Sequence, residues 1–372
     1  MPGALDGIVV ADFSRVLAGP YASMLLGDFG ATVIKVEQPG HGDDTRTWGP
    51  PFTPDGKSTY FESVNRNKRS IALDLKDSKD LGRAHKLAAQ ADVVIENFRV
   101  GSLTKFNLDY LSVMSTNPKV VYCSISGFGS KEGKDLPGYD LLIQAMGGLM
   151  SITGIDQPTK VGVALVDVLA GLHASNAIMA ALIERGESGS GQQLEINLLS
   201  VLLSSMVNQS SAYVLGGITP GLLGNAHPSI APYEVFECSD RSIVIAVGND
   251  TQFAQLCSAL DIPDIAADPR YATNADRVAS RTLLRIELNR ALGSATADHW
   301  YHELNQRGVP CGPINSIPQA FELAERLGLE PVHETMIANP VTLRRTPVTY
   351  RLLPPELGAS TDDVVAQFGL DD

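Results

Sequence analysis

Short apolar runs alternate with longer segments of helical periodicity over the first half of the chain. Residues 7–13 and 31–37 are apolar runs that predict buried strands, and residues 19–30 between them predict a helix. A strand, a helix and a strand within roughly thirty residues are typical of a βαβ unit, whose strands are parallel. The alternation continues with strands predicted at 70–76, 92–98, 120–125 and 194–198 and helices at 78–90, 110–117 and 139–147. This order predicts an α/β fold with a Rossmann-like parallel sheet.

The pattern changes after a long apolar helix predicted at 199–215. Residues 216–232 are rich in glycine and proline and poor in charge, which indicates a linker. Beyond it the sequence predicts strands at 233–238 and 242–247, helices at 250–260, 274–292 and 296–307, and strand-like pieces at 340–343 and 348–352. We therefore expect a large α/β domain over residues 1–220 and a smaller α+β domain over 221–330. The C-terminal tail, 331–372, is expected to pack back on the large domain.

Composition and charge narrow the possible partners. Hydrophobic residues make up 44% of the chain and charged residues 19%, as in soluble globular proteins. The net charge of −13 argues against a nucleic acid or an anionic membrane as partner. The four cysteines are scattered without a C-x-x-C pair, which predicts neither a metal site nor a disulfide framework, but reduced thiols in a cytoplasmic protein. We see no apolar run long enough to span a bilayer.

Two segments are candidates for binding a charged ligand. Open α/β sheets bind ligands outside the carboxyl ends of their strands, where Asn97, Phe98, Arg99 and Lys105 follow a predicted strand. The basic cluster at residues 65–69 is a second candidate for meeting phosphate. No G-x-G-x-x-G follows the first strand, so the usual dinucleotide motif is missing from the sequence.

Asp167 interrupts an apolar run between Gly162 and Gly171. A carboxylate in such a run is costly to bury unless it is paired, capped or used. One interpretation makes Asp167 the N-cap of the alanine-rich helix that follows. The other places it at a helix N-terminus facing a cleft, ready to attack a carbonyl carbon.

An ordered set of motifs along nearly the whole chain resembles the family III CoA-transferases, which include carnitine CoA-transferase and bile-acid CoA-transferase homologues. The motifs are residues 12–20, 27–31, 34–37, 67–71, 73–76, 96–99, 126–129, 139–140 and 309–313, together with Asp167 and Gly171. The resemblance implies an enzyme that moves CoA from an acyl-CoA thioester to a free carboxylic acid. CoA and acyl-CoA would be substrates, with no permanently bound cofactor or metal.

The resemblance makes Asp167 the nucleophile. A free aspartate has a pKa near 3.9 and would be ionised at pH 7 without an activating base. It would form an aspartyl–acyl anhydride, then an aspartyl-CoA thioester, and a second anhydride with the acceptor acid. Backbone N–H groups near Leu17 and Ala18, just before a helix, would stabilise an oxyanion.

The same resemblance implies further contacts. The residues expected to contact CoA are Arg15, Val16, Leu17, Ala18, Leu73, Asp74, Leu75, Lys76, Asn97, Phe98, Arg99, Lys105 and Tyr139. The acyl and lid region would include Trp48, Asp140, Gly224 and Asn225, the last two within the glycine-containing loop 221–227. An apolar Leu17 suits a larger or less polar acyl group than formate or oxalate.

The sequence also allows two alternative functions, and the resemblance implies one assembly. The same fold hosts α-methylacyl-CoA racemases, but their Gly-His-Asp motif is Gly138-Tyr139-Asp140 here, and tyrosine is a poor base at neutral pH. A CoA-binding protein without turnover is the third reading. The resemblance also implies a homodimer of two interlinked, ring-like chains.

Overall fold

A six-stranded parallel sheet is the centre of the larger of two compact units in the computed structural model, which describes residues 2–371. Its strands are β1 (Val9–Asp12), β2 (Thr32–Glu37), β3 (Lys68–Ala72), β4 (Val93–Glu96), β5 (Val121–Ser126) and β6 (Gln192–Asn197). They lie in the order β3-β2-β1-β4-β5-β6, with Val10 of β1 opposite both Val33 of β2 and Val93 of β4. This is the order of a doubly wound, Rossmann-like sheet. The predicted α/β fold and parallel sheet are confirmed.

Helices cover both faces of this sheet. The helices of the larger unit are α1 (Ala18–Asp28), α2 (Thr59–Ser63), α3 (Ser78–Gln90), α4 (Tyr110–Thr116), α5 (Asp140–Met146), α7 (Leu165–Ser188), α8 (Leu198–Ser205) and α9 (Val207–Gly216). The short helix α6 (Leu149–Ile152) begins at the last residue before the 150–159 segment of the smaller unit. Val93 and Ile95 of β4 pack with α1, α7 and α8, whereas Val94 packs with α3 on the opposite face. Because successive side chains of a strand alternate between faces, both of which are buried, these strands appear as continuous apolar runs in the sequence.

The apolar segment predicted as one helix at 199–215 is two helices. α8 and α9 meet at 82°, and Val207, at the break, has a positive φ of 39°. Apolar composition alone does not show such a bend, so this prediction was wrong.

The smaller unit contains residues 150–159 and 220–329. Its antiparallel sheet consists of β7 (Tyr233–Glu237), β8 (Ser242–Ala246) and β9 (Cys311–Pro313), and its helices are α10 (Asp250–Ala259), α11 (Pro263–Ala267), α12 (Asn274–Ala279), α13 (Arg281–Leu292), α14 (Ala297–Gln306) and α15 (Ile317–Arg326). The predicted helix 274–292 is divided into α12 and α13, and β9 was not predicted, since three residues carry too little periodicity. Thr296 is the N-cap of α14, as predicted.

The C-terminal segment from Glu330 belongs to the larger unit. It forms β10 (Val332–His333), β11 (Met336–Ile337) and α16 (Thr361–Gln367), whereas 340–343 and 348–352 are not strands. Asn67 holds it by accepting a hydrogen bond from the Arg351 N–H at 2.7 Å and donating its own N–H to the Leu352 carbonyl at 2.9 Å. The segment 348–352, which was predicted to be a strand, is therefore held by hydrogen bonds to Asn67 and not by pairing with another strand.

The basic cluster at residues 65–69 is largely buried, which contradicts its prediction as a phosphate site. Arg66 pairs with Asp28 at 2.6 Å and Lys68 with Asp12 at 3.2 Å, all four side chains being almost inaccessible. Buried charges require such partners. The carboxylates come from α1 and β1, which the local sequence could not show.

Helix α7 is long and apolar enough to cross a membrane by length and composition, contrary to our expectation that no such run exists. Within the described chain, however, it is a core helix. Val166, Ala170, Ala174 and Ile178 are fully buried in the cluster that covers one face of the sheet.

Candidate active site

A cavity of about 340 Å³ opens at the carboxyl ends of β1 and β4. The strand order reverses here, because β1 is followed in sequence by β2 on one side and, after β3, by β4 on the other. The loops that leave β1 and β4 therefore diverge and leave a crevice, which is where open α/β sheets bind ligands.

The cavity brings together half of the site residues that were predicted from the sequence. Its lining includes Arg15, Val16, Leu17, Ala18, Asn97, Phe98, Arg99, Tyr139 and Asp167. The first four follow β1, the next three follow β4, and Asp167 comes from α7. With Tyr139, which precedes α5, four segments that are distant in sequence thus meet at one edge of the sheet.

Other predicted residues lie elsewhere. Leu73, Asp74, Leu75 and Lys76 follow β3 at the same edge of the sheet, and Lys105 lies in a short 3₁₀ turn after β4, but the lining described for the cavity does not include them. Gly224 and Asn225 belong to the smaller unit, where the Gly224 N–H donates to the Gly154 carbonyl at 3.0 Å.

One wall of the cavity was not predicted as part of the site. Residues 126–129 and 133–138, in the loop after β5, line it and contribute Lys134 and Asp135. The sequence signals were the motif at 126–129 and the glycine content of the segment, which indicates an irregular loop. A Cβ atom on Gly127 would lie 2.4 Å from the Gly138 Cα, so the two ends of the loop require glycine to approach each other.

Asp167 is the third residue of α7, and Ala164 is the N-cap. The interpretation of Asp167 as the N-cap is therefore wrong. The capping acceptor is Asp140 at the start of α5, whose Oδ1 accepts the Val166 N–H at 2.8 Å while Oδ2 accepts from Gln144 Nε2 at 2.7 Å. A carboxylate from another helix satisfies the helix end, which leaves Asp167 available to the cavity.

Burial and the neighbouring Asp140 carboxylate raise the pKa of Asp167 to about 7. Burial disfavours the charged form, and a like charge adds to that effect. The expectation that Asp167 is fully ionised at pH 7, drawn from the pKa of a free aspartate, therefore does not hold. Near neutral pH the two protonation states coexist.

Gly171 brings α7 close to α1. A Cβ atom on Gly171 would lie 2.8 Å from the Ala18 carbonyl oxygen and 2.9 Å from Tyr21 Cδ1. Gly171 is one helical turn after Asp167, so this contact also sets how near Asp167 lies to the first turn of α1. The close packing of α7 against α1 therefore explains why residue 171 is a glycine.

Tyr60, which the sequence analysis did not single out, lies close enough to Asp167 for the two side chains to interact electrostatically, although the lining described for the cavity does not include it. Burial, together with the carboxylates of Asp167, Asp140 and Asp43, raises the pKa of Tyr60 to about 12. Its ring packs edge-on against Trp48, with ring centroids 5.2 Å apart. Trp48 thus lies beside a neutral phenol in the neighbourhood of Asp167, and no periodicity or motif pointed to Tyr60.

Comparison with known proteins adds independent information. The model of "CoA-transferase family III" matches residues 5–361. A succinate–glutarate CoA-transferase of Agrobacterium fabrum is 44% identical over 98% of this chain and 95% of its own length. An acetyl-CoA:oxalate CoA-transferase of Acetobacter aceti is 38% identical over 87% of this chain and 84% of its own length.

One solved structure is similar to this protein over nearly the full length of both chains. A CAIB/BAIF family protein from Brucella suis matches with a TM-score of 0.89 and 39% sequence identity, covering 99% of this chain and 100% of that one. The similarity extends over both compact units and includes the cavity-forming segments.

Proposed function

The chain belongs to CoA-transferase family III and is an acyl-CoA:carboxylate CoA-transferase, and we propose that it exchanges CoA between small dicarboxylic acids by covalent catalysis on Asp167. The name of the relative that is 44% identical supports succinate and glutarate as the acids. The position of Asp167 in the cavity, at the first turn of α7, carries the mechanistic part of the proposal.

The proposed reaction begins with an ionised Asp167 oxygen attacking the thioester carbonyl carbon. An aspartyl–acyl anhydride forms, the C–S bond breaks, and CoA leaves as a thiolate. The thiolate attacks the aspartyl carbonyl carbon, which releases the donor acid as a carboxylate and leaves an aspartyl-CoA thioester. The acceptor carboxylate attacks that thioester and expels CoA thiolate again. The thiolate then takes the acyl group of the second anhydride and regenerates Asp167, so that no proton is gained or lost.

The first turn of α1 is suited to stabilise the negative oxygen of each tetrahedral intermediate. Leu17 is the N-cap and Ala18 the first helical residue, and both line the cavity that contains Asp167. N–H groups of a first helical turn have no acceptor within their own helix. They are therefore available to an oxyanion, and the partial positive charge of the helix end adds to their effect.

Cations at the cavity mouth support binding of the CoA phosphates. Arg15 and Arg99 are exposed and pair with Asp44 at 3.3 Å and with Asp135 at 3.0 Å. Exposed pairs of this kind contribute little to stability, so exchanging the aspartate for a phosphate costs little. Lys134 adds a third cation in the same lining.

A direct exchange assay tests the substrates. Succinyl-CoA with isotopically labelled glutarate should give labelled glutaryl-CoA and free succinate in equal amounts. Acetyl-CoA with oxalate serves as the comparison pair, since the 38% identical relative is named for it. Formation of oxalyl-CoA with no glutaryl-CoA would contradict the proposed acids but leave the transfer chemistry intact.

The pH dependence tests the ionisation of Asp167. We expect kcat/KM to fall roughly tenfold per pH unit below about pH 7, because only the ionised carboxylate attacks. Asp140→Asn should move the midpoint to lower pH, since it removes the like charge that raises the Asp167 pKa and keeps an oxygen for the Val166 N–H. Asp44→Asn, which changes another carboxylate of the cavity, is the control and should leave the midpoint in place. An unmoved midpoint in Asp140→Asn would contradict this assignment.

We also propose that the chain forms a homodimer. Tyr213, Val214, Leu215 and Ile218, on and just after α9, are each more than 60% exposed. Several large apolar side chains exposed within one short segment are typical of a protein interface. Light scattering at micromolar concentration should give twice 39.7 kDa, and a mass of 39.7 kDa would contradict the assembly.

A further inference from the structure

The loop between β1 and α1 contains a strained residue at the edge of the cavity. Val16 has φ = 69°, in the left-handed region. A β-branched side chain disfavours that region strongly, and such strain persists only where the surroundings enforce it. In a Rossmann sheet with the usual motif, glycines occupy this turn. Here neighbouring side chains must hold a valine in the same region.

Asn97 holds the residue before Val16 at both of its backbone groups. Its Oδ1 accepts the Arg15 N–H at 2.8 Å, and its Nδ2 donates to the Arg15 carbonyl at 2.6 Å. A primary amide that pairs with both groups of one residue fixes the position and the orientation of that residue. Asn97 also lines the cavity, where it was expected to contact CoA, and its amide group is engaged with this loop.

Buried ionic groups hold the loop from the other side. The Asp43 carboxylate accepts the Val16 N–H with both oxygens, at 3.2 Å each. Lys35 Nζ donates to Asp43 at 2.9 Å and to the Ser14 carbonyl at 3.0 Å, and the side chains of Lys35 and Asp43 are inaccessible to solvent. The Val16 N–H is thereby engaged by Asp43, and the next two N–H groups are those of Leu17 and Ala18.

We propose that Asn97 is a positioning residue, which together with Asp43 holds Val16 in the left-handed conformation and thereby aims the Leu17 and Ala18 N–H groups at the carbonyl that Asp167 attacks. This inference rests on the proposed function, because it assigns those N–H groups to the oxyanion. It predicts that the loop geometry affects the chemical step more than it affects CoA binding.

The experiment combines Asn97→Ala with Val16→Gly. Asn97→Ala should lower kcat roughly tenfold to a hundredfold, the effect of small displacements of catalytic groups, while the dissociation constant for CoA changes less than about threefold. Adding Val16→Gly should restore most of the lost kcat, because glycine adopts a positive φ without steric cost and does not need Asn97 to hold it there. A residue that only stabilises the fold would give no such rescue, since a second loosening substitution would add to the loss.

Asn117→Ala is the matched control. The Asn117 side chain also donates twice to backbone, to the Ala88 carbonyl at 3.2 Å and the Ala91 carbonyl at 2.7 Å, and it is not part of the cavity lining described above. It should lower the thermal midpoint without lowering kcat.

Three results would overturn the inference. These are no recovery of kcat in the double variant, a loss of CoA binding with kcat intact at saturation, or an equal loss of kcat in Asn117→Ala. Activity of Asp167→Asn separates the two proposals. If Asp167→Asn keeps its activity, the proposed mechanism is refuted. If Asp167→Asn is inactive and Val16→Gly does not rescue Asn97→Ala, only the positioning role of Asn97 is refuted.

Discussion

Asp167→Asn is expected to lower kcat by at least roughly a thousandfold, the scale seen when a catalytic nucleophile is removed. The amide keeps the shape of the side chain but is a poor nucleophile, so neither the anhydride nor the aspartyl-CoA thioester forms. CoA should still bind, because the residues that line the cavity mouth are unchanged. Turnover is measured by the exchange assay, and binding by calorimetry with CoA. Mass spectrometry after incubation with an acyl-CoA should find an adduct on Asp167 of the unmodified enzyme only.

The same variant should be more stable than the unmodified enzyme at alkaline pH. The folded-state pKa of Asp167 is raised to about 7, above its unfolded value near 3.9. Between these values the folded state holds more protons than the unfolded state, so this group lowers the free energy of unfolding as the pH rises. The gain in thermal midpoint should therefore be larger at pH 8 than at pH 5. An active variant, or a gain that is larger at pH 5, would contradict the role or the environment assigned to Asp167.

Gly171→Ala is expected to impair both stability and turnover. The new Cβ would lie under 3 Å from the Ala18 carbonyl oxygen and from Tyr21, so α7 and α1 must separate. Overpacking of this kind costs about 1–3 kcal/mol, which outweighs or cancels the gain of roughly 1 kcal/mol in helix propensity. Because Asp167 is one turn away, we expect kcat to fall roughly tenfold or more. Thermal unfolding and the exchange assay measure the two effects.

Gly186→Ala on the same helix is the matched control. A Cβ at Gly186 would meet no atom within 4 Å among the described residues, so this variant should gain up to about 1 kcal/mol and keep its kcat. If the two variants behave alike, the close approach at Gly171 has no functional role.

The fold class and the position of several elements could be predicted from the amino-acid sequence. The predicted helix 78–90 matches α3 residue for residue, because helical periodicity and an aspartate N-cap are local signals. The apolar runs 7–13 and 31–37 were predicted to be buried strands, and β1 and β2 lie there, because a continuous apolar run is typical of a strand that is covered on both faces. Gly171 was part of the motif set in the sequence. Asp167 could be singled out because a carboxylate in an apolar run is unusual.

How these residues act depends on contacts that form only when the chain folds. The Asp140 oxygen that caps α7 comes from 26 residues away, and the Asn97 amide that holds Arg15 comes from 82 residues away. No local pattern encodes such pairs, since they depend on which loops the sheet brings to one edge. The pKa of Asp167 is a further example, because burial and a neighbouring carboxylate exist only after the chain has folded. The sequence therefore shows which chemical groups are present, whereas the fold determines their protonation states, their hydrogen-bond partners and their orientation.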